Sequence, residues 1–249
     1  MALALAGLHG KPANGGQGAA LPPAGSGPGS GWTVLDALVG TVLSQCTSDP
    51  VSHRMFGALR ARYPAWEALM RAEPSEVART IRAGGQSAVK TGFLQALLRQ
   101  VHAERGACSL EYLRDLPTEA AKAELLRFKG VGPKTAACVL VYALARPDFP
   151  VDVHVWKLAR ALGWVPGRCT REQAYRRLNA RVPDELKYAL HVLLQEHGKA
   201  HGHGAALLRR RLAARARVAQ AEAEGGAEAA YRALPAGPDL GRHVQHVRR

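Results

Sequence analysis

The feature that most constrains the fold is a pair of glycines, Gly130 and Gly132, placed between two stretches of helical pattern. The first stretch ends near Phe128, and the second opens at about Pro133, where a proline suits the first helical turn. Glycine allows the backbone angles of a tight turn and has no Cβ to obstruct it. The sequence therefore predicts two helices joined by a short hairpin.

A hairpin of this kind exposes backbone N–H groups from the turn and from the start of the following helix. These groups can converge on one phosphate oxygen, so we predict a phosphate clamp that is indifferent to base identity. Its members are expected to be Gly130, Val131, Gly132 and Thr135. The alternative is an ordinary helical hairpin in which the glycines only permit the turn.

From Trp32 to about Gly198 the apolar residues recur at helical spacing, as in VLDALVGTVL. No convincing alternating strand interrupts this pattern, and glycines and prolines separate its segments. We predict an all-α fold of two helical lobes with a cleft between them. One lobe is expected to contain the central helices from about Ser52 to Ala145, and the other the first helix and the C-terminal helices.

Composition divides the chain into three parts. Residues 1–31 are rich in Gly, Pro and Ala and are expected to form a disordered lead-in, because they have too little apolar surface to offset the entropy of ordering. Residues 32–204 are expected to form the helical domain. Residues 205–249 are expected to form a tail, basic and helical and then flexible, in which Arg209–Arg217 is either a supplementary phosphate contact or a solvated helix face.

The charge balance points to a polyanionic partner. The chain has 34 Lys and Arg residues against 20 Asp and Glu residues, a formal net charge of +14. Nucleic acid is the candidate partner, although a ribosomal or membrane-surface protein can have a similar balance. No segment approaches the roughly 20 apolar residues of a membrane span. The segment from Met1 to Leu8 has no Lys or Arg and is too short for a secretory signal, so we expect a cytoplasmic, nucleoid-associated protein.

The pattern LxxFKGVGPKTA, with Lys134 directly after the turn and small Ala136 and Ala137 behind it, resembles the hairpin of the endonuclease III family. This family is part of the helix-hairpin-helix DNA glycosylase superfamily, and the resemblance extends over roughly residues 33–203. It implies an enzyme of base excision repair that removes a damaged base from double-stranded DNA and cleaves abasic sites. We therefore expect the active site in the cleft and a monomeric protein.

In the resembling family, the lysine at the position of Lys134 attacks the sugar C1′, expels the base and forms a Schiff base, and β-elimination then nicks the strand. The alternative for Lys134 is a solvated lysine that contacts phosphate. Asp152, in the sequence PVDVHVW, matches the family's acidic partner, which assists deprotonation and stabilises positive charge on the sugar. Locally, Asp152 is also a good helix N-cap. His154 is expected to support Asp152 or the helix start and to contact DNA.

Many members of this family carry a glutamine in the loop after the first substrate-side helix, where it fills the gap left by the flipped base. The segment LVGTVLSQCTSDPVSHRMF resembles this region and contains Gln45. Counting back from Asp49 places Cys46, one residue later, at the family's glutamine position. Gln45 is therefore predicted either to fill the gap in the DNA or to be a surface residue at a helix end.

Most endonuclease III proteins end with four cysteines that bind an iron–sulfur cluster, shortly after an HGR or HGK element. The element is present from His197 to Lys199, but Gly202 stands where the first cysteine is expected and no cysteine follows Cys169. We predict no cluster and no other metal or cofactor. The neighbouring histidines do not have the spacing of structural zinc sites and are expected to be solvated or to face phosphate; they are His191, His197, His201 and His203.

The expected function is a glycosylase with abasic-site lyase activity, acting on an oxidised pyrimidine in double-stranded DNA. The rivals are a monofunctional glycosylase, in which water attacks with the help of Asp152, and a non-catalytic protein that binds abasic DNA. An RNA-binding protein is suggested by charge alone. The choice of base depends on pocket side chains that the sequence does not place, so methylated, deaminated and mismatched bases remain open as substrates. The segment FPVDVHVWKLARALGWVP also resembles the corresponding part of plant 5-methylcytosine glycosylases.

Overall fold

The computed structural model describes residues 32–203, 206, 208–210 and 213, and this part of the chain is helical without a β-strand. The predicted all-α fold is confirmed. None of the helices in this part is both long and apolar enough to cross a membrane. The helices are α1 (Val34–Ser44), α2 (Asp49–Arg62), α3 (Trp66–Arg71), α4 (Pro74–Thr80), α5 (Ser87–Arg105), α6 (Thr118–Arg127), α7 (Pro133–Tyr142), α8 (Val153–Leu162), α9 (Arg171–Arg181) and α10 (Asp184–His201), with short 3-10 helices at Arg82–Gly84 and Glu111–Arg114.

The first lobe is built around α1, whose residues from Val34 to Leu43 are all buried. Thr33 starts this helix with a capping box, in which its hydroxyl accepts the N–H of Asp36 and the Asp36 carboxylate accepts the N–H of Thr33. The second oxygen of Asp36 accepts a hydrogen bond of 3.0 Å from the indole of Trp66. The buried Asp36 side chain therefore caps α1 and also ties α3 to it.

The position of α1 corrects the predicted division into lobes. The prediction that the first helix joins the C-terminal helices is wrong, because α1 shares one hydrophobic core with the helices from α2 to α7. A helix that is buried along its whole circumference needs partners on every side, and α2, α5 and α7 supply them. The apolar pattern reveals the need for such partners but not their identity.

The second lobe contains α8, α9 and α10 and has its own apolar core around Phe149, Leu158 and Leu194. Its elements begin at clear local signals. At the start of α9, Thr170 and Gln173 form a reciprocal capping box. Helix α10 packs against α8 within this lobe.

Helix α7 is shared between the two lobes. Ala136 belongs to the core of the first lobe, and its neighbour Ala137 belongs to the core of the second. Their small side chains allow the two lobes to pack closely on different faces of one helix. The start of α7, which follows the glycine hairpin, therefore lies at the junction of the lobes.

A buried carboxylate fixes the connector between α7 and α8. The hydroxyl of Tyr175 lies 2.9 and 3.0 Å from the two carboxylate oxygens of Asp148, and Nζ of Lys122 lies 3.0 Å from Oδ2. Because Asp148 is buried, it depends on these partners to balance its charge. The network joins α6 of the first lobe to α9 of the second, just before the connector reaches Asp152.

The predicted lead-in of residues 1–31 and nearly all of the predicted tail of residues 205–249 lie outside the described residues. Within the described positions of the tail, Leu208 is buried in the core of the second lobe. Arg209 donates a hydrogen bond to the backbone carbonyl of Ala161. These positions of the tail therefore pack on the second lobe.

Candidate active site

The connection between α6 and α7 has the hairpin geometry that its glycines predicted. Gly130 has a φ of +85°, a left-handed conformation that favours glycine. A Cβ at this position would also lie 2.5 Å from the ring of Phe93, so a larger residue is excluded for a second reason. Gly132 is the N-cap of α7, and Pro133 occupies its first position. The helix-hairpin-helix motif is therefore present.

The residues predicted to clamp phosphate differ in their exposure to solvent. Gly130 is exposed and Gly132 is half-buried, whereas the side chains of Val131 and Thr135 are buried. Any phosphate contact of Val131 or Thr135 must therefore use the backbone. The N–H groups in the first turn of α7 have no acceptor within the helix, which fits a clamp made by the backbone.

Lys134 is the second residue of α7 and is half-buried. It borders a cavity of about 340 Å³ together with Gly132, Val151 and Tyr175. Cys138, one helical turn further along α7, is near enough for its thiol to interact electrostatically with Lys134, and burial raises the pKa of this thiol. Lys134 thus lies at the edge of an open cavity.

Asp152 is the N-cap of α8, as its local sequence predicted, and both of its carboxylate oxygens are bound. Oδ1 accepts the N–H of Val155 at 2.8 Å. Oδ2 accepts a hydrogen bond of 3.0 Å from Nε2 of Gln195, on α10. Because one bond comes from its own helix and the other from a different helix, the carboxylate has a fixed orientation.

The charges of this pair are coupled. Burial raises the pKa of Asp152, but the opposing effects of His191, the N–H of Val155, Lys134 and Gln195 together lower it below its ordinary value. Burial lowers the pKa of His191 to about 4, so His191 is neutral at pH 7. At that pH, the two hydrogen bonds and the charge of Lys134 keep Asp152 ionised. Lys134 and Asp152 are therefore near enough for the charge of the lysine to lower the pKa of the carboxylate.

One row of side chains on α10 contacts residues outside this helix. His191, Gln195 and Lys199 recur every four residues, which aligns them along the helix. Nδ1 of His191 lies 2.8 Å from the carbonyl oxygen of Pro150, so in the neutral ring this nitrogen carries the proton and donates. Nζ of Lys199 lies 2.7 Å from Oδ2 of Asp49 in the first lobe. The sequence analysis singled out none of these contacts, although the four-residue spacing was an available signal.

Gln45 lies at the C-terminal end of α1 and is exposed. Its Nε2 is 3.4 Å from Oγ1 of Thr135, the residue that follows Lys134. Cys46, the next residue, is exposed and has a φ of +54°. Gln45 is therefore a surface residue at a helix end that also contacts the hairpin helix, next to the predicted nucleophile.

His154 contacts the end of α10. Its Nδ1 lies 3.0 Å from Nε2 of His203, and a Cβ at Gly198 would lie 2.6 Å from the Cβ of His154. The glycine of the HGK element thus allows α8 and α10 to approach each other closely. The expectation that the nearby histidines are solvated or face phosphate is wrong for His191 and His197, which are 1% and 0% exposed.

The residues present do not fit an iron–sulfur cluster. Helix α10 ends at Gly202, where the first cysteine of the family's ladder is expected. Cys108, Cys138 and Cys169 are buried at separate places, and Cys46 is exposed. Among the described residues, no three side chains of His, Cys, Asp or Glu are grouped so that they could hold a metal ion.

Comparison with known sequences places this architecture in a family. Residues 39–184, more than half of the chain, match the model of the HhH-GPD superfamily base excision DNA repair proteins. A putative DNA glycosylase of Arabidopsis thaliana is 47% identical over 167 residues, which are 67% of this chain and 57% of that relative. The chain thus spans little more than half the length of this relative. Endonuclease III of Thermotoga maritima is 30% identical over 165 residues, with 65% of this chain and 71% of that protein covered.

A shorter match joins this chain to the DNA glycosylase/AP lyase ROS1 of Arabidopsis thaliana, which is 40% identical over 101 residues, or 41% of this chain and 7% of that protein. Among solved structures, a trapped endonuclease III–DNA covalent intermediate has a TM-score of 0.59 at 24% identity and covers 68% of this chain and 76% of its own. An 8-oxoguanine glycosylase/lyase of Clostridium acetobutylicum bound to DNA has a TM-score of 0.57 at 16% identity, covering 67% and 60%. At these identities the structural likeness concerns the fold alone. The resemblance seen in the hairpin sequence is confirmed, and the chain belongs to the HhH-GPD superfamily of base excision DNA repair proteins.

Proposed function

We propose that this chain is a DNA glycosylase that also cleaves abasic sites, with Lys134 as the nucleophile and Asp152 as its acidic partner. The observation that carries the proposal is the position of Lys134 at the start of the hairpin helix, where its charge acts on Asp152. A phosphate bound by the hairpin would lie beside this lysine, because the clamp and the nucleophile share one turn. The arrangement suits a single nucleotide that has been turned out of a duplex.

The proposed reaction begins with extrusion of the damaged nucleotide into the cleft. Lys134 first gives up a proton to water, and its neutral amine then attacks C1′. The bond from C1′ to the base breaks, so that the base leaves with the bonding electron pair and takes up a proton from the attacking amine. Asp152 stabilises the positive charge that develops on the sugar, because both of its oxygens are already oriented. The sugar ring then opens to a Schiff base, and loss of a proton from C2′ expels the 3′ phosphate.

The comparisons support this chemistry. The relative that is 40% identical over 101 residues is named a glycosylase and AP lyase. From the endonuclease III likeness, we propose an oxidised pyrimidine as the damaged base and double-stranded DNA as the partner of a monomer. His154 and the backbone of Gly130, Val131, Gly132 and Thr135 are proposed to contact the DNA.

Trapping with borohydride tests the lyase chemistry. The wild-type protein is incubated with a duplex that carries one abasic site, and borohydride reduces any Schiff base to a stable covalent adduct. We expect an adduct with the wild type and none with Lys134→Gln. The matched control is Lys157→Gln, which removes an exposed lysine from α8 and should keep the adduct. An adduct with Lys134→Gln, or DNA binding by the wild type without an adduct, would reject the proposed nucleophile.

The damaged base is tested separately with a panel of duplexes. Each duplex carries one oxidised pyrimidine, 5-methylcytosine, uracil or a mismatched thymine, and single-turnover excision is measured. We expect the oxidised pyrimidine to be removed fastest. Faster removal of another base would correct the substrate class without affecting the assignment of the nucleophile, because the abasic-site assay does not depend on the base.

A further inference from the structure

A buried lysine joins two loops of the first lobe. Lys90, near the start of α5, is 3% exposed. Its Nζ lies 3.0 Å from the carbonyl oxygen of Leu43, 2.8 Å from Oγ1 of Thr47 and 3.3 Å from the carbonyl oxygen of Gly84. All three donors of the ammonium group therefore have acceptors. These acceptors come from the end of α1 with its following loop and from the turn that precedes α5.

The two loops also contact each other directly. The hydroxyl of Thr47, which accepts a hydrogen bond from Lys90, lies 2.7 Å from the carbonyl oxygen of Gly84 and donates to it. A Cβ at Gly84 would lie 2.3 Å from Cε of Met55 and 3.2 Å from Oγ1 of Thr47. The turn at Gly84 therefore approaches the α1–α2 loop as closely as its backbone allows.

Packing alone does not explain a lysine at this position. Burial lowers the pKa of Lys90, and the three acceptors of its ammonium group are uncharged oxygens. An apolar side chain of similar length would fill the same space without the cost of desolvating a charge. Unlike such a side chain, the ammonium group can donate hydrogen bonds to both loops at once.

The joined loops carry exposed glutamines. Gln45 lies between Leu43 and Thr47, the two residues that Lys90 holds on this side, and it contacts Thr135 of the hairpin helix at 3.4 Å. On the other loop, Gln86 is exposed and has a φ of +51°, a conformation that residues other than glycine seldom adopt. The bonds of Lys90 thus hold the backbone on both sides of Gln45, which contacts the residue that follows the predicted nucleophile.

We propose that Lys90 is a positioning residue that holds these two loops as one rigid unit and so presents Gln45 to the DNA beside Lys134. The inference rests on the proposed function, since it concerns how the same site engages a duplex. Lys90 itself is buried, so it acts on the DNA through the loop of Gln45 rather than through a contact of its own. The effect of removing Lys90 must therefore depend on whether Gln45 is present.

The probe for this test is a duplex with a tetrahydrofuran abasic analogue placed opposite 2-aminopurine. The analogue forms no Schiff base, so the fluorescence of the 2-aminopurine reports insertion of a side chain into the gap, separately from lyase chemistry. We expect the wild type to change the fluorescence on binding. Lys90→Met is expected to reduce this change as strongly as Gln45→Ala. Affinity for the duplex should fall by less than roughly tenfold, because the hairpin is left intact.

The double variant decides between positioning and a general loss of structure. If Lys90 acts through Gln45, adding Lys90→Met to Gln45→Ala has no further effect on the fluorescence change. Losses that add independently, or a normal fluorescence change in Lys90→Met, would overturn the inference. The control is Lys187→Met, which removes another buried lysine, one paired with Asp184 in the second lobe, and should keep the signal.

A second variant and a parallel trapping assay separate the role of Lys90 from misfolding and from the lyase chemistry. Thr47→Val removes only the hydroxyl that bonds to Lys90, to the carbonyl oxygen of Gly84 and, at 3.1 Å, to the carbonyl oxygen of Gln45. It is expected to reproduce the loss of signal even if Lys90→Met does not fold. Borohydride trapping on a natural abasic duplex runs in parallel. A wild-type adduct together with a normal signal in the folded variants would overturn the role of Lys90 and leave the lyase proposal standing. A missing wild-type adduct would reject the lyase proposal, while the fluorescence comparison would still decide the role of Lys90.

Discussion

Gln195 donates a hydrogen bond of 3.0 Å from Nε2 to Oδ2 of Asp152, and it does so from a different helix. The N–H of Val155 holds the other oxygen from within α8. Gln195 therefore fixes the position of Oδ2, the carboxylate oxygen that takes no part in capping α8. We expect Gln195→Leu to slow base excision by roughly 10–100-fold, because the carboxylate loses its orientation, while DNA affinity changes little. Single-turnover kinetics and a binding titration on the same duplex separate the two effects.

The charge at position 195 offers a sharper test of the same contact. Gln195→Glu would place a second carboxylate beside Asp152, and like charges at hydrogen-bonding distance raise the pKa of the pair. Since the pKa of Asp152 is lowered in the wild type, the acid limb of its pH–rate profile should move to higher pH in this variant. Gln173→Glu, which keeps a capping box on α9, should leave the profile unchanged. An unmoved acid limb in Gln195→Glu would show that Asp152 does not govern the rate.

The ion pair of Asp49 and Lys199 spans the two lobes with an N–O distance of 2.7 Å. Its side chains are 28% and 33% exposed, so solvent screens the attraction and the coupling should be about 0.2–1 kcal/mol. We expect a double-mutant cycle of Asp49→Asn and Lys199→Met to give this coupling in the free energy of unfolding, and high salt to reduce it. The exposed pair of Glu172 and Arg176 within α9 is the control. A coupling of zero at low salt would remove the pair as a link between the lobes.

The features that the sequence predicted correctly are those that neighbouring residues determine. Gly130 is required by its own φ, Pro133 suits the first position of α7, and Asp152 caps the helix that begins at the next residue. Each of these depends on backbone geometry within a few residues, which a single sequence records directly. The hairpin and the acidic N-cap were therefore predictable without knowledge of the tertiary fold.

The features that the sequence did not predict depend on contacts between distant elements. Gln195 and Lys199 look like solvated positions on an amphipathic helix until the first lobe and Asp152 are placed opposite them. Lys90 resembles a surface lysine, because nothing near it in sequence indicates that Leu43 will accept its hydrogen bond. The same reason explains the wrong lobe for α1. Its uniform apolarity predicts complete burial, and complete burial is compatible with either core.

The buried His191 should make stability depend on pH. Burial lowers its pKa from 6.5 to about 4, so the folded protein binds this proton more weakly than the unfolded chain does. The contribution to stability is therefore fully present above pH 6.5 and is lost as the pH falls toward 4, with a total of roughly 3 kcal/mol. We expect the free energy of unfolding in urea to decrease across this interval. His191→Gln should flatten the decrease, whereas His53→Gln, at an exposed position, should not. Equal slopes in the wild type and His191→Gln would contradict the assignment.

Alanine substitutions at the two hairpin glycines should affect different properties, namely folding stability at Gly130 and DNA binding at Gly132. At Gly130 the φ of +85° and the approach of Phe93 to 2.5 Å both oppose a Cβ, so Gly130→Ala is expected to lower the free energy of unfolding by about 1–3 kcal/mol. At Gly132 the φ is −93° and no atom lies within 4 Å of the position that a Cβ would take, so Gly132→Ala should fold with nearly normal stability. The added methyl would instead stand where the hairpin approaches a phosphate.

We therefore expect Gly132→Ala to weaken binding to a duplex with an abasic analogue and to reduce the dependence of affinity on salt, because a phosphate contact is lost. Thermal unfolding and binding titrations at two salt concentrations distinguish this loss from the folding defect of Gly130→Ala. If Gly132→Ala bound DNA with wild-type affinity and the same salt dependence, the glycines would only permit the turn. The phosphate clamp would then have to be sought elsewhere, and the position of Lys134 beside a bound phosphate would lose its support.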